Sequence, residues 1–118
     1  MAGRNVTYLS EANLITCVLQ TGLAENVLDA AKNCGAQGAT ISYARGTGIR
    51  ERMRLLGVTI DEQKEVIRII VSEEQADRVF EAMYLAGGLD TPGKGIMFMT
   101  KLERVATYIP ESVLKEIA

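Results

Sequence analysis

The chain has 118 residues, 47% of them apolar and 24% charged, and a formal net charge of −2. That length and composition suit one globular domain with its own hydrophobic core, and exclude a globally disordered chain or a disulfide-dependent miniprotein. No apolar run approaches the ~20 residues that cross a bilayer, and the absence of a basic excess argues against a dedicated nucleic-acid binder.

The elements are taken in chain order. Residues 1–10 form a polar N-terminal tail, loose or adding an edge strand through Val6 to Leu9. Arg4 has no apolar stretch behind it, so no secretory signal is visible and the expected compartment is the cytoplasm. Leu14 to Leu19 is a short apolar, partly β-branched run of the kind that forms a covered strand. Leu23, Val27, Ala31 and Cys34 then recur at helical spacing as one apolar stripe, closed by Gly35 in the left-handed position that ends helices. A returning strand is expected over Ala39 to Arg45. Val66 to Val71 opens the second half as a strand, and the helix after it has Ala76, Val79, Phe80 and Met83 on its apolar stripe. Ser72 can cap that helix, with Glu73, Glu74 and Asp77 near the positive end of its dipole and Gly87 at its close. Ile96 to Thr100 is the last strand of the domain, which spans 11–110. Residues 111–118 are a C-terminal tail with a short helical pattern in Val113, Leu114 and Ile117.

The two halves are copies. Shifted by 52 positions, Ile15 falls on Ile67, Val18 on Ile70, Val27-Leu28 on Val79-Phe80, and Gly35 on Gly87, without a gap. Two β-α-β units of this length, each with an antiparallel return, predict an α+β fold, the ferredoxin-like β-α-β-β-α-β sandwich. Both helices then cover one face of the sheet. On the other face the third strand offers Val66, Arg68 and Ile70. Val66 and Ile70 would be exposed on a monomer, so that face is expected to be covered by other subunits.

The copies lead into different loops. After Arg45-Gly46-Thr47-Gly48 a long connection runs to about Gln63, and loops beyond ~12–15 residues in compact domains usually carry function. Arg50, Arg52 and Arg54 stand there against Glu51, among Met53, Leu55, Leu56, Val58 and Ile60. The stretch Ile49 to Leu56 can form a short helix that presents arginines to a partner or an anion; the plainer alternative is a surface excursion packing its own apolar residues. The second copy carries Gly87-Gly88-Leu89-Asp90-Thr91-Pro92-Gly93-Lys94-Gly95. Its glycines let successive N–H groups converge on an anion, with Lys94 as a point charge. The spacing is not that of a Walker A loop. In a symmetric oligomer the two segments can meet across a subunit boundary.

Catalysis has little support. The sequence has no His, the commonest general base, and Asp61 and Glu62 read as solvated charges. Cys17 and Cys34 lie in apolar, periodic segments without a CxxC spacing, and read as small buried hydrophobes rather than a redox or metal site.

From Leu14 to Ile109 the chain resembles the PII signalling superfamily, trimeric ferredoxin-like proteins that sense adenine nucleotides and regulate transporters and enzymes. The resemblance rests on the duplicated units, on Arg45-Gly46-Thr47-Gly48 at the start of the long T-loop, and on the B-loop Gly93-Lys94-Gly95-Ile96. It implies a homotrimer with an adenine nucleotide (ATP, ADP or AMP) as effector in the cleft between subunits. Val18 and Ile70 would flank the adenine; Gly46, Thr47 and Gly48 would line the T-loop base; Gly93, Lys94 and Gly95 would approach the phosphates. Arg50, Arg52, Met53, Arg54 and Leu55 would face a partner, such as a membrane transporter. No catalytic residue, metal or nucleic-acid partner is implied.

The sequence also departs from the nitrogen-sensing members. Its T-loop is shorter and has no Tyr to uridylylate, and Arg50 stands near the position of the glutamine that helps bind magnesium and 2-oxoglutarate. Thr107-Tyr108-Ile109 replaces a phosphate-gripping R-x-R pair, and Lys94 lies between the B-loop glycines rather than after them. The resemblance thus implies a divergent member, with ADP, AMP or another small anionic effector in place of 2-oxoglutarate sensing. Two other readings stay open on the residues alone: an ACT-like small-molecule-binding module on the same plan, and a structural oligomer module without a ligand.

Overall fold

The computed structural model describes residues 6–46 and 62–108. Its elements are β1 (Tyr8–Leu9), β2 (Ala12–Gln20), α1 (Ala24–Asn33), β3 (Thr40–Gly46), β4 (Glu62–Ser72), α2 (Glu73–Ala86), β5 (Gly95–Leu102) and β6 (Val105–Ala106). β2 to β5 form one sheet in the order β3-β4-β2-β5, every neighbouring pair antiparallel. This is the ferredoxin-like α+β arrangement expected from the duplication. Among the described residues no helix is long and apolar enough to cross a membrane.

One expectation within each unit fails. β3 does not return antiparallel to β2; both are antiparallel to β4, which lies between them, so they run parallel to each other. A helix packed across the sheet carries the chain back to its starting end, so the next strand repeats the first one's direction. The antiparallel neighbours therefore come from opposite units.

Strand alternation decides which residues form the core. Ile15, Cys17 and Leu19 of β2 and Ile67, Ile69 and Val71 of β4 point to the helix side and are buried. Val27 and Ala31 of α1 and Ala76, Val79 and Met83 of α2 close over them. Each large apolar side chain so covered stabilises the fold by about 1.5–3 kcal/mol. Cys17 is part of this core, and Cys34 is partly buried at the end of α1; both are free thiols.

The register bears out the duplication. Ile15 pairs with Ile69 and Cys17 with Ile67, pairs that a 52-residue shift exchanges. Thr16 and Arg68, themselves 52 apart, face each other, so a pseudo-twofold axis passes through the centre of the sheet at that pair.

The helix ends show where the copies diverge. In α1 the Gly35 N–H donates to the Lys32 carbonyl and the Ala36 N–H to the Ala31 carbonyl, with Gly35 at φ +95°. In α2 the same motif uses Gly88, at φ +66°, whose N–H donates to the Leu85 carbonyl while the Leu89 N–H donates to the Tyr84 carbonyl. The left-handed residue is thus Gly88 and not the expected Gly87, which is right-handed at φ −81°. Gly87 is small for another reason: a β-carbon there would lie 3.1 Å from Val27 Cγ2 and 3.3 Å from Leu19 Cδ2.

Ser72 does precede α2 in extended conformation, but its hydroxyl makes no cap hydrogen bond. The Glu11 carbonyl accepts the Glu73 N–H at 2.8 Å instead. Beyond the main sheet, β1 pairs with β6, Tyr8 opposite Ala106, and Arg104 lies over the Tyr8 ring at 5.1 Å. The edge strand foreseen near Val6 to Leu9 thus forms, on a partner of its own.

Candidate functional site

By the outer strands the repeat offset has grown. Thr40 pairs with Arg68, and Phe98 occupies the equivalent place opposite Thr16, so 52 becomes 58. Six residues have been added to the second copy. One extends the end of α2, as the shift from Gly87 to Gly88 shows, and the others lie between Gly88 and β5.

This added loop is built on the sheet, not hung from it. Thr91 turns back on Gly88, its N–H donating to the Gly88 carbonyl at 2.9 Å and its hydroxyl to the same oxygen at 2.6 Å. Leu89 packs against the core, and the Lys94 carbonyl accepts the Gln20 N–H at 3.1 Å. Gly93 is left-handed at φ +79°, a conformation that costs other residues ~1–2 kcal/mol. Gly95 begins β5 opposite Leu19, with backbone so near β2 that a β-carbon would collide with the Val18 carbonyl oxygen. Of the three expected phosphate-approaching residues, Gly93 and Lys94 lie in the loop, while Gly95 belongs to the strand.

The base of the other loop lies at the same end of the sheet. Gly46 closes β3 opposite Glu62, and Arg45 pairs with Gln63; residues 47–61 connect that pair. Thr47, Gly48, Arg50, Arg52, Met53, Arg54 and Leu55 fall outside the described residues. Gly46 and the Gly93–Gly95 loop belong to the two edge strands, three strand spacings or about 14 Å apart across the sheet. Between them, Gln20 and Lys64 face each other at the ends of β2 and β4. Arg45, Lys64 and Lys94 bring cations to this end of the sheet, where Glu62, Glu65 and Asp90 also stand. Arg45 and Lys64 were not among the expected site residues; only the register of β3 and β4 reveals that they share an end with Lys94.

Glu65 is held by backbone donors. Its Oε1 accepts the Gly22 N–H at 2.7 Å and the Ala24 N–H at 3.1 Å, holding the first turn of α1 against β4. The Thr21 hydroxyl donates to the Gln63 carbonyl at 2.8 Å, fixing the β2–α1 turn against the base of the long loop.

The two expected adenine-flanking residues are not brought together within one chain. Val18 lies on the open face between Val66 and Ile96. Ile70 is on the same face opposite Leu14, four residues or about 13 Å along the strand from Val66. Ile70 is 50% exposed, as expected, but Val66 is only 4% exposed. Val66 has strand neighbours on both sides, Val18 and Ser42, whereas β3 stops opposite Arg68 and leaves Ile70 uncovered on one side.

Among the described residues no reactive group stands out. Burial pushes the Cys17 thiol up to about 12, which leaves it protonated and inert at neutral pH. Among the described residues no group of three or more His, Cys, Asp or Glu is placed to hold a metal ion.

The chain is thus a duplicated ferredoxin-like domain whose copies differ in the segments that follow β3 and precede β5, at one end of the sheet. The chain belongs to the nitrogen regulatory protein P-II family, whose model matches residues 12–111. Members of that family are regulatory trimers that bind small effectors and partner proteins. Among solved structures the chain is similar to the crystal structure of Arabidopsis thaliana PII bound to citrate, at 19% identity and a TM-score of 0.61, covering 80% of this chain and 79% of that one. Compared sequence against sequence, the chain matches no curated protein. Family membership decides against the ACT-like alternative.

Proposed function

We propose that this PII-family protein is a homotrimeric signalling regulator that binds an adenine nucleotide, or a similar small anionic effector, between subunits. It reports occupancy through the 47–61 loop to a partner, for which a membrane transporter is the leading class. The observation that carries the reading is the placement of Gly46 and the Gly93–Gly95 loop at one end of the sheet but on opposite edges, about 14 Å apart. Edges that far apart in one chain are brought side by side by a neighbouring copy. The residues then divide the work. Backbone N–H groups around left-handed Gly93 suit phosphate oxygens, and Lys94 adds charge. Val18 of one chain and Ile70 of another supply apolar surface for a base. The effector stabilises whichever arrangement of the 47–61 loop it contacts better, and so shifts the loop's population. The citrate held by the similar plant protein shows a compact polyanion on this fold, in keeping with an anionic effector. The decisive experiment is a calorimetric titration with ATP, ADP, AMP, cyclic AMP and citrate. Binding of one or more nucleotides at three per trimer is expected, and no heat with any of them would overturn the reading.

A further inference from the structure

The open face of the sheet carries an electrostatic problem of its own. Ile70, Ile96 and Phe98 leave it 50%, 62% and 49% exposed, one apolar patch with Leu14 and Val18 alongside. In the trimer proposed above, copies of this chain cover that patch, as a large exposed apolar surface requires. At its centre stands Arg68, on the pair that the pseudo-twofold axis passes through.

Among the described side chains the face offers Arg68 no counter-charge. Among the described side chains that strand register places there, the ionisable ones are Lys64 and Arg68, and both are cations. Glu62 is six residues, or about 20 Å, along the strand. The surroundings of Arg68 are hydroxyls instead. Its Nη1 donates to Ser42 Oγ at 3.2 Å, and its strand neighbours on either side are Thr16 and Thr40. A guanidinium has five N–H donors, so most of them are left for another acceptor.

Closing three such faces around a threefold axis gathers three guanidiniums in a region of reduced dielectric. Like charges brought together there repel, and a buried cation without a partner is strongly unfavourable. An anion resolves both costs at once, because guanidinium forks match oxyanions in pairs. We infer that the trimer holds one small oxyanion, of the phosphate or carboxylate class, on its axis between the three Arg68 side chains, with Thr16 and Thr40 hydroxyls beside it. This rests on the trimer reading, and the site is told from the effector cleft by its count: one anion per three chains, not three.

Inorganic phosphate is the probe, applied to the full chain after exhaustive exchange into phosphate-free buffer at constant ionic strength. Native mass spectrometry and calorimetry are expected to show a trimer binding one phosphate, with Tm rising by roughly 3–5 °C at saturation. Arg68→Met is expected to lose that binding and that rise, yet to match or exceed the wild type without phosphate. Arg68→Gln provides the same readout if the Met variant does not fold. Lys94→Ala is expected to keep the single site. A trimer that binds no phosphate, binds three, or binds equally well without Arg68 overturns the inference and leaves the trimer standing. A monomer or dimer mass overturns both.

Discussion

Gly95→Ala tests how β5 is set against β2. The added methyl would collide with the Val18 carbonyl oxygen and lie 3.2 Å from both Leu19 Cα and Leu89 Cδ2. Two of these three obstacles are backbone atoms of the adjacent strand, and the buried Leu19 beside them has no room to give. Gly95 also sits at φ +156°. Backbone strain of this kind costs ~1–3 kcal/mol and overpacking another ~1–3, so the loss should be about 2–5 kcal/mol. Gly93→Ala is the matched control. It is left-handed at φ +79°, but nothing lies nearer its added methyl than Gln20 Nε2 at 3.9 Å, so only the ~1–2 kcal/mol conformational cost applies. Urea unfolding at one fixed protein concentration gives both numbers from the midpoint and slope. A Gly95→Ala loss below ~1 kcal/mol, or a Gly93→Ala loss equal to it, would refute the close approach.

Three further outcomes are expected. Lys94→Ala should weaken nucleotide binding about tenfold, roughly 1.4 kcal/mol, with little change in Tm, and Gly93→Asp should weaken it as much while losing only the ~1–2 kcal/mol of its left-handed backbone; if either unfolded the protein, the loop would be structural instead. The folded Cys17 thiol stays protonated up to about 12 against an ordinary value of 9.0. Its contribution is whole below pH 9 and falls as pH rises from 9 to 12, by up to ~1.4 kcal/mol per pH unit. Cys17→Ala should therefore lose stability less steeply than the wild type in that window, and equal slopes would count against a desolvated thiol. Glu65→Ala strips the acceptor from the Gly22 and Ala24 N–H groups and should cost about 1–2 kcal/mol; a change under ~0.5 in chemical denaturation would show that water replaces the carboxylate.

Much of the scaffold was legible because the duplication repeats buried positions. Ile15 and Ile67, and Val27 and Val79, are alike in sequence because each pair occupies the same place in the core. Errors arose where three-dimensional neighbours, not local pattern, decide the outcome. Val66 and Ile70 look equivalent in the strand's alternation, yet only Val66 is flanked by strands on both sides. Gly87 and Gly88 are adjacent glycines, and which one turns left depends on one added residue at the end of α2. The hydroxyl of Ser72 promised a cap that the Glu11 carbonyl supplies from elsewhere in the chain. At the candidate site the glycines and Lys94 announced themselves by spacing. Arg45 and Lys64 did not, since only strand pairing places them at the same end.

The same strand order governs how the chain reaches this fold. β2 pairs with β4 across 44 to 60 residues of sequence, and with β5 across 76 to 90. The shortest-range pairing in the sheet, β3 with β4, still encloses the connection at 47–61. Such a topology is intrinsically slow to fold, because distant segments must meet before any of them is rewarded. It is also tolerant. Doubling the length of a flexible connection adds only about 0.6 kcal/mol of closure entropy. The 47–61 loop, anchored at Gly46 and Glu62, can therefore lengthen, shorten or change sequence at little thermodynamic cost. Sequence change there leaves the core as it is.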